Sequence, residues 1–490
     1  MNQGGLGKIR RLGLINRLGL LLFFAAGTLP AQAGEVSGYW QGSIQVPGAR
    51  LGGKIDLALA DGTWQGTIDI PMQGAEGLPL EGIHIQGPEV RFRIAGIPGS
   101  PTFEGQVEGS RLEGTFHQGG ASFPFLLKRE VSAGPLRPQE PKGPFPYRSL
   151  DVSYPGPAGK ISGTLTLPKE GPAAAVLLIS GSGPQNRDGE LFEHKPFRVL
   201  ADHLSRQGIA VLRVDDRGVG GSEGVFAEAT TLDFAEDARA GLRFLGTYEG
   251  LPRGRVGLLG HSEGGLIAPL LAQDPGVRFL VLVAAPGVPG REVLARQRFL
   301  IARGAGVPAE SIRKREVLFE ELVDLVLSDA EGEVRESRMR ELIYEQMALE
   351  APPEDREAAA EQAEAALAQM ESSWFRFFLA HDPRPVLTRV RVPVLALYGA
   401  KDLQVEPAQN QPALEQALRR SGNPDVEVLR LEGLNHLMQR AGTGHPSEYW
   451  ALEETFSPVA LERVSSWIRR RFPPAGEETS REVAAEGSGS

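Results

Sequence analysis

The sequence predicts a two-part chain: a small all-β domain, then an α/β domain whose mostly parallel sheet carries helices on both faces and a helical cap insertion. Three observations predict it. Residues 34–130 are Gly-rich and alternate apolar and polar positions in short runs. From about Arg148 the apolar runs become continuous and alternate with helix-like segments. Between Arg291 and about Arg384 that rhythm stops, and charged helical sequence takes its place.

The first 33 residues carry Lys8, Arg10, Arg11 and Arg17 and no acid, then the apolar run Leu18 to Ala26, then "TLPAQA". A basic start, a short apolar core and an Ala-x-Ala ending form the pattern of a secretory signal peptide cleaved after Ala33. The core is too short to span a bilayer comfortably, so no stable membrane anchor is expected. In residues 34–130, "KIDLALADGTWQGTIDI" and "FEGQVEGSRLEGTFHQGG" show period-2 alternation broken by Gly-containing turns, as in antiparallel strands of a sandwich or barrel. Residues 131–147, "VSAGPLRPQEPKGPFPY", are proline-rich and read as a stiff linker.

In residues 148–473 the runs "AAAVLLIS" (173–180), "GIAVLRVDD" (208–216), "RVGLLG" (255–260), "RFLVLVAAPG" (278–287) and "VPVLALYGA" (392–400) are apolar throughout. Strands of that kind are buried on both faces, which is the condition of a parallel sheet. A helical stretch as long as 291–384 between two strands is read as an inserted cap, since structureless loops of that length are rare in compact domains. The tail 474–490 is polar and low in apolar residues, and is expected to be disordered.

The chain has no cysteine, which excludes disulfides and a thiol nucleophile. Its net charge is −10, and removal of the four cations of the first 33 residues makes it more negative. Nucleic acid and anionic membranes are therefore unfavoured partners. His84 and His117 form no metal-ligand spacing, and neither a metal nor a cofactor is expected.

One stretch carries chemistry. "GHSEGG" (260–265) follows the strand-like "RVGLL" and opens an apolar-periodic segment, so Ser262 stands at a strand-turn-helix elbow with Gly260 and Gly264 two residues to either side. A serine hydroxyl needs a base, and the base needs an orienting acid. Asp402 follows the run 392–400, and His436 follows "VEVLRLEGL". Both occupy loops at the carboxyl ends of expected strands, where open α/β sheets place functional groups.

Each has a plainer reading. Asp402 could be a helix cap, with Glu406 as the substitute acid, and His445 rivals His436. His261 is assigned to packing in the elbow. For an oxyanion hole, one amide is expected from Glu263 and the other from "SGSGPQNRDG", with Ser182 as donor and Gly181 shaping the loop. The Walker ending is missing from that loop, and "RVDDRGVGGSEG" (213–224) lacks the supporting context of a dinucleotide site. Asp216 and Arg217 are read as braces for neighbouring loops.

Together "LISGSGPQNRDG", "HKPFRVLADHLSRQGIAVLRVDDRGVGGS", "GLLGHSEGGLIAP", "FFLAHDPRPVLTRVRVPVLALYGAKDLQV" and "LNHLMQ" resemble the bacterial α/β-hydrolase family of exported serine esterases and related peptidase-like hydrolases. The resemblance spans 147–473. The β domain looks like the module preceding the hydrolase domain in many members. It implies the α/β-hydrolase fold, attack by Ser262, acid–base work by His436, orientation by Asp402, and a cap over the site; "WFRFFL" (374–379) is the cap's candidate stretch to face it, with an ordinary helix core as the plainer reading.

The substrate expected is a small-molecule ester of small or medium acyl chain. A peptide substrate of an aminopeptidase or dipeptidyl-peptidase-like enzyme is the alternative, which would need an acidic cap residue to hold its ammonium group, and the acid-rich cap offers many candidates. An acyl-CoA thioesterase and a binding protein on an inactive scaffold stand behind these.

Overall fold

The computed structural model describes residue 36 and residues 38–46, 49–60, 63–70, 75–129, 137–328, 332–348, 364 and 366–473. The expected signal peptide, the start of the linker, much of the "DREAAAEQAEAALAQM" helix and the tail lie outside the described residues. The chain divides near residue 132 into two compact units.

The first unit is a closed barrel of β1 (Gly38–Val46), β2 (Ala49–Ala60), β3 (Thr63–Ile70), β4 (Ala75–Gln86), β5 (Glu89–Ile94), β6 (Thr102–Glu108), β7 (Arg111–Gln118) and β8 (Ala121–Arg129). Every pairing between consecutive strands is antiparallel from β2 onward. β1 closes the ring on β8, with Trp40 opposite Arg129 and Ile44 opposite Phe125. Closure leaves no free strand edge. In β5 the burial alternates strictly, so Val90, Phe92 and Ile94 are buried while Glu89, Arg91 and Arg93 are exposed. The buried set meets Trp40, Ile55, Leu57, Phe103 and Leu127 in one core, where the Phe92 and Phe103 rings stack at 5.0 Å.

The second unit is built on β9 (Tyr147–Gly156), β10 (Gly159–Pro168), β11 (Ala174–Ile179), β12 (Ile209–Val214), β13 (Val256–His261), β14 (Leu280–Val283), β15 (Val394–Gly399) and β16 (Val426–Leu431). Their spatial order is β16-β15-β14-β13-β11-β12-β10-β9. The pairings from β12 to β16 are parallel, and β10 and β9 are antiparallel at one edge. That edge hairpin has no counterpart among the continuous apolar runs of the sequence, because β9 is largely solvent-facing.

Both faces of the sheet are buried. Along β11, Ala175, Leu177 and Ile179 join the core with Leu242 and Leu245 of α2 (Thr231–Thr247), Ile267 of α3 (Gly264–Leu270) and Leu414 of α9 (Pro407–Arg420). The alternate residues Ala174, Val176 and Leu178 join Leu200 and Leu204 of α1 (Pro196–Arg206) and Val464 and Trp467 of α10 (Pro458–Arg471). Each large apolar side chain buried this way contributes about 1.5–3 kcal/mol.

Between β14 and β15 lie α4 (Gly290–Gly304), α5 (Ala309–Leu327), α6 (Glu333–Ala348), α7 (Ser373–Ala380) and α8 (Arg384–Leu387). Phe319, Leu322, Val323, Met339, Leu342, Ile343 and Leu379 give this insertion a core of its own. No described helix is long and apolar enough to cross a membrane.

The proline-rich segment is bound to the α/β unit from Arg137 onward. The Arg137 guanidinium donates to the carbonyls of Phe192, Trp450 and Leu452, and Gln139 bonds the backbone of Thr455 and Phe456.

Trp467 is fully buried under the sheet and meets Phe279 edge-on at 6.0 Å. Trp467→Ala is expected to cost the α/β unit about 3–5 kcal/mol, read as a shift in its denaturant midpoint while the barrel's transition stays in place.

Candidate active site

The sheet order brings the site together. β11 lies between β12 and β13, so the chain steps from β11 to β12 on one side and then crosses back to β13 on the other, a reversal that opens a crevice at the carboxyl ends of these strands. Ser262 follows β13 at that crevice with φ of 54°, a left-handed conformation that a side chain makes costly. Its amide donates to Val283 O at 2.9 Å, which pins the turn to β14.

The flanking glycines are needed for space. A Cβ at Gly260 would lie 2.0 Å from Gly264 O, and one at Gly264 would lie 2.3 Å from Ile179 O. The helix after the serine therefore runs directly over the ends of β13 and β11.

Asp402 and His436 come together from two further strand ends. His436 Nδ1 donates to Asp402 Oδ2 at 2.8 Å, with both side chains buried. Asp402 Oδ1 accepts from the amides of Gln404 and Val405, each at 2.8 Å. The carboxylate thus holds both its own turn and the imidazole, so the capping and orienting readings of Asp402 describe two oxygens of one group. The His436 loop is tied down by Asn435, whose Oδ1 accepts from the amides of Leu437 and Gln439. The amide of Lys401 also bonds Leu434 O at 2.8 Å.

The rivals are engaged elsewhere. Glu406 forms a two-point pair with Arg296 at 2.6 and 2.7 Å. His445 Nδ1 is bonded to Ser447. His261, the neighbour of Ser262, donates through Nε2 to His436 O at 3.0 Å, and the two rings lie 4.9 Å apart. This contact sets the His436 loop against the elbow. Among the described residues, the bonds of His436 run through Nδ1 and the backbone oxygen, and Ser262 is held through its backbone, with no hydrogen bond at Ser262 Oγ or His436 Nε2.

The loop after β11 lies against the nucleophile position. A Cβ on Gly181 would approach Ser262 Cβ to 3.2 Å. The amides of Gly181, Ser182 and Glu263 donate to no acceptor among the described residues. Asp216, at the end of β12, closes this loop from both sides. It accepts from Ser180 Oγ at 2.6 Å and from the Gln185 amide at 2.8 Å, and its own amide donates to Gln185 O. Asp215 holds the Arg187 amide and guanidinium. Arg217 bonds Asp237 and the Asp233 carbonyl of α2.

Sequence reasoning overlooked the Glu263 side chain. The sequence points to its amide alone, yet its carboxylate is almost fully buried and accepts from Thr231 Oγ1 at 2.7 Å and Trp374 Nε1 at 2.8 Å. A charged residue between Ser262 and two helix-opening glycines is forced inward by the elbow, and that was the available signal. Trp374 lies in the "WFRFFL" stretch, while Leu379 of the same stretch is buried in the cap's own core.

Burial pushes the Asp216 carboxyl up to about 7, helped by the nearby charges of Glu263 and Asp237. Burial, together with His436, pushes His261 down to about 3. The signs are opposite. A carboxyl raised in the folded state contributes stability below its ordinary value near 3.8 and loses it as pH rises to about 7. A lowered histidine contributes stability above 6.5 and loses it as pH falls toward 3. Asp216→Asn removes only the first contribution. The denaturation midpoint of the variant, relative to the parent protein, should therefore rise between pH 5 and pH 8. A constant difference would contradict the burial of a titrating carboxyl at this position.

The sequence profile of the family described as "Serine aminopeptidase, S33" matches residues 193–440. Esterase EstD of Thermotoga maritima is 27% identical over 335 residues, covering 66% of this chain and 68% of the relative. Among solved structures, an esterase of Pyrococcus furiosus aligns over 69% of this chain and 98% of its own, at 15% identity and a TM-score of 0.42. A thermophilic esterase from Thermogutta terrifontis aligns over 66% and 99%, at 18% identity and a TM-score of 0.35. The profile match takes in half of the 490 residues, including Ser262, Asp402 and the His436 loop, and on that ground the chain belongs to the serine aminopeptidase family of α/β hydrolases.

Proposed function

We propose that this protein is a serine hydrolase that cleaves carboxylic esters of small or medium acyl groups through an acyl-enzyme intermediate, and that it works outside the cytoplasm. The observation that carries the reading is the His436–Asp402 bond, which occupies Nδ1 and leaves Nε2 as a base beside an elbow that strains Ser262.

In the proposed reaction Ser262 Oγ bonds to the acyl carbon while its proton passes to His436 Nε2. The carbonyl oxygen becomes an oxyanion, which the amides of Glu263 and Ser182 stabilise, with Gly181 shaping the approach. The ester C–O bond then breaks, and the leaving alcohol takes the proton from Nε2. Water gives a proton to Nε2 as its oxygen bonds the acyl carbon, and Ser262 Oγ departs with that proton. Asp402 keeps the imidazole in the tautomer that both halves require.

Ester cleavage is favoured over removal of amino-terminal residues by the state of Glu263. A peptide's ammonium group needs an acid near the reacting carbon, and the acid adjoining Ser262 is already committed to Thr231 and Trp374. The esterase name of the Thermotoga maritima relative supports the same choice. Export is supported by the basic and apolar pattern of the first 33 residues.

The test uses the purified chain from residue 34, a p-nitrophenyl ester series of rising acyl length, and aminoacyl and dipeptidyl p-nitroanilides. Ester turnover should fall by about 10⁴-fold or more in Ser262→Ala, and by a comparable order in Asp402→Asn. The anilides should remain uncut. Efficient anilide cleavage would move the protein to the peptidases, and full ester turnover in Ser262→Ala would remove the serine mechanism.

A further inference from the structure

One short helix of the cap, α7, reaches the residue that follows the nucleophile. α7 is fixed to the cap by two independent contacts: Leu379 is buried with Phe319, Leu322 and Met339, and the Arg376 guanidinium donates to the carbonyls of Val326 and Ser328 at the end of α5. It also abuts the start of α4, where a Cβ on Gly290 would lie 1.9 Å from Phe378 O. From the opposite part of the same helix, Trp374 stacks on Phe378 and donates through Nε1 to Glu263 Oε1. The second donor to that oxygen, Thr231, opens α2 and is fully buried.

We infer that Glu263 is a positioning residue through which cap helix α7 sets the oxyanion site, its buried carboxylate latched to Trp374 while its amide faces the reacting carbonyl. The inference rests on the serine-hydrolase reading given above. Glu263 follows the strained Ser262 directly, so its side chain and its amide share one peptide plane's freedom. A shift of α7 pulls the carboxylate and turns the amide. Donors of an oxyanion site act only when aimed within a few tenths of an ångström of the developing charge, so a small turn lowers the rate of the chemical step without weakening substrate binding. The cap thereby sets the rate as well as covering the site.

The test measures kcat and KM for p-nitrophenyl butyrate in the chain from residue 34 and in Trp374→Phe, Glu263→Ala, Glu263→Gln and the double variant Trp374→Phe/Glu263→Ala. Trp374→Phe and Glu263→Ala should each lower kcat about tenfold, with KM within about twofold. The double variant should be no worse than Glu263→Ala alone, because the bond that Trp374→Phe removes is one of the two that Glu263→Ala already removes. Glu263→Gln keeps a carbonyl oxygen for Trp374 and should recover a large part of the kcat lost in Glu263→Ala.

Effects that add in the double variant, or that fall on KM alone, would overturn the latch and leave Trp374 as a pocket wall. Should Trp374→Phe fail to fold, the Glu263→Ala and Glu263→Gln pair decides: equal losses in both overturn the proposal. Ser262→Ala run beside them separates the two levels. Turnover surviving in that variant refutes the hydrolase reading, whereas its loss together with an unaffected Trp374→Phe refutes only the latch.

Discussion

Ser262 holds a backbone conformation that costs a residue with a side chain of order 1–3 kcal/mol, and the unit around it is arranged to enforce that cost. The Ser262 amide is held by Val283, Gly260 and Gly264 allow the helix to cross the strand ends at contact distance, and β11 and β14 flank the strand that delivers the turn. A sheet buried on both faces supplies the rigidity. Its two cores, one with α2, α3 and α9 and the other with α1 and α10, leave the strand ends little freedom to relax the serine.

Polar groups are distributed around the elbow in the same spirit. Each buried charge near the site has named partners: Asp402 takes three donors, Asp216 takes two and Glu263 takes two. A buried carboxylate without donors would be far too costly, so each bond fixes a piece of backbone as the condition of having the charge there at all. Asp402 fixes His436, Asp216 fixes the loop that carries Gly181 and Ser182, and Glu263 fixes the cap helix. His261 adds the remaining tie, from the elbow itself to the His436 loop.

Much of this was legible in the residues, for a physical reason. Parallel strands buried on both faces must be apolar throughout, so the runs holding β11 to β15 stood out and the loop carrying Asp402 followed from where the last of them ends, while the His436 loop follows the more exposed β16, whose run "VEVLRL" mixes apolar and charged residues. The barrel strands were legible through alternation, but its closure was not, because the pairing of β1 with β8 spans the whole domain and leaves no local signature. β9 was missed because an edge strand exposed along much of its length carries no continuous apolar run. The Glu263 carboxylate was missed because its partners, Thr231 and Trp374, lie 32 and 111 residues away, and only the folded cap brings the indole to it.

The central claim is that the elbow makes Ser262 a nucleophile. The most direct measurement is mass spectrometry of the protein after treatment with diethyl p-nitrophenyl phosphate, an ester whose phosphorus traps an activated serine hydroxyl. The account requires one phosphoryl adduct per chain, mapped to Ser262 within the tryptic peptide of residues 256–278. The unmodified peptide in a fully treated sample, or an adduct on another residue, would contradict it.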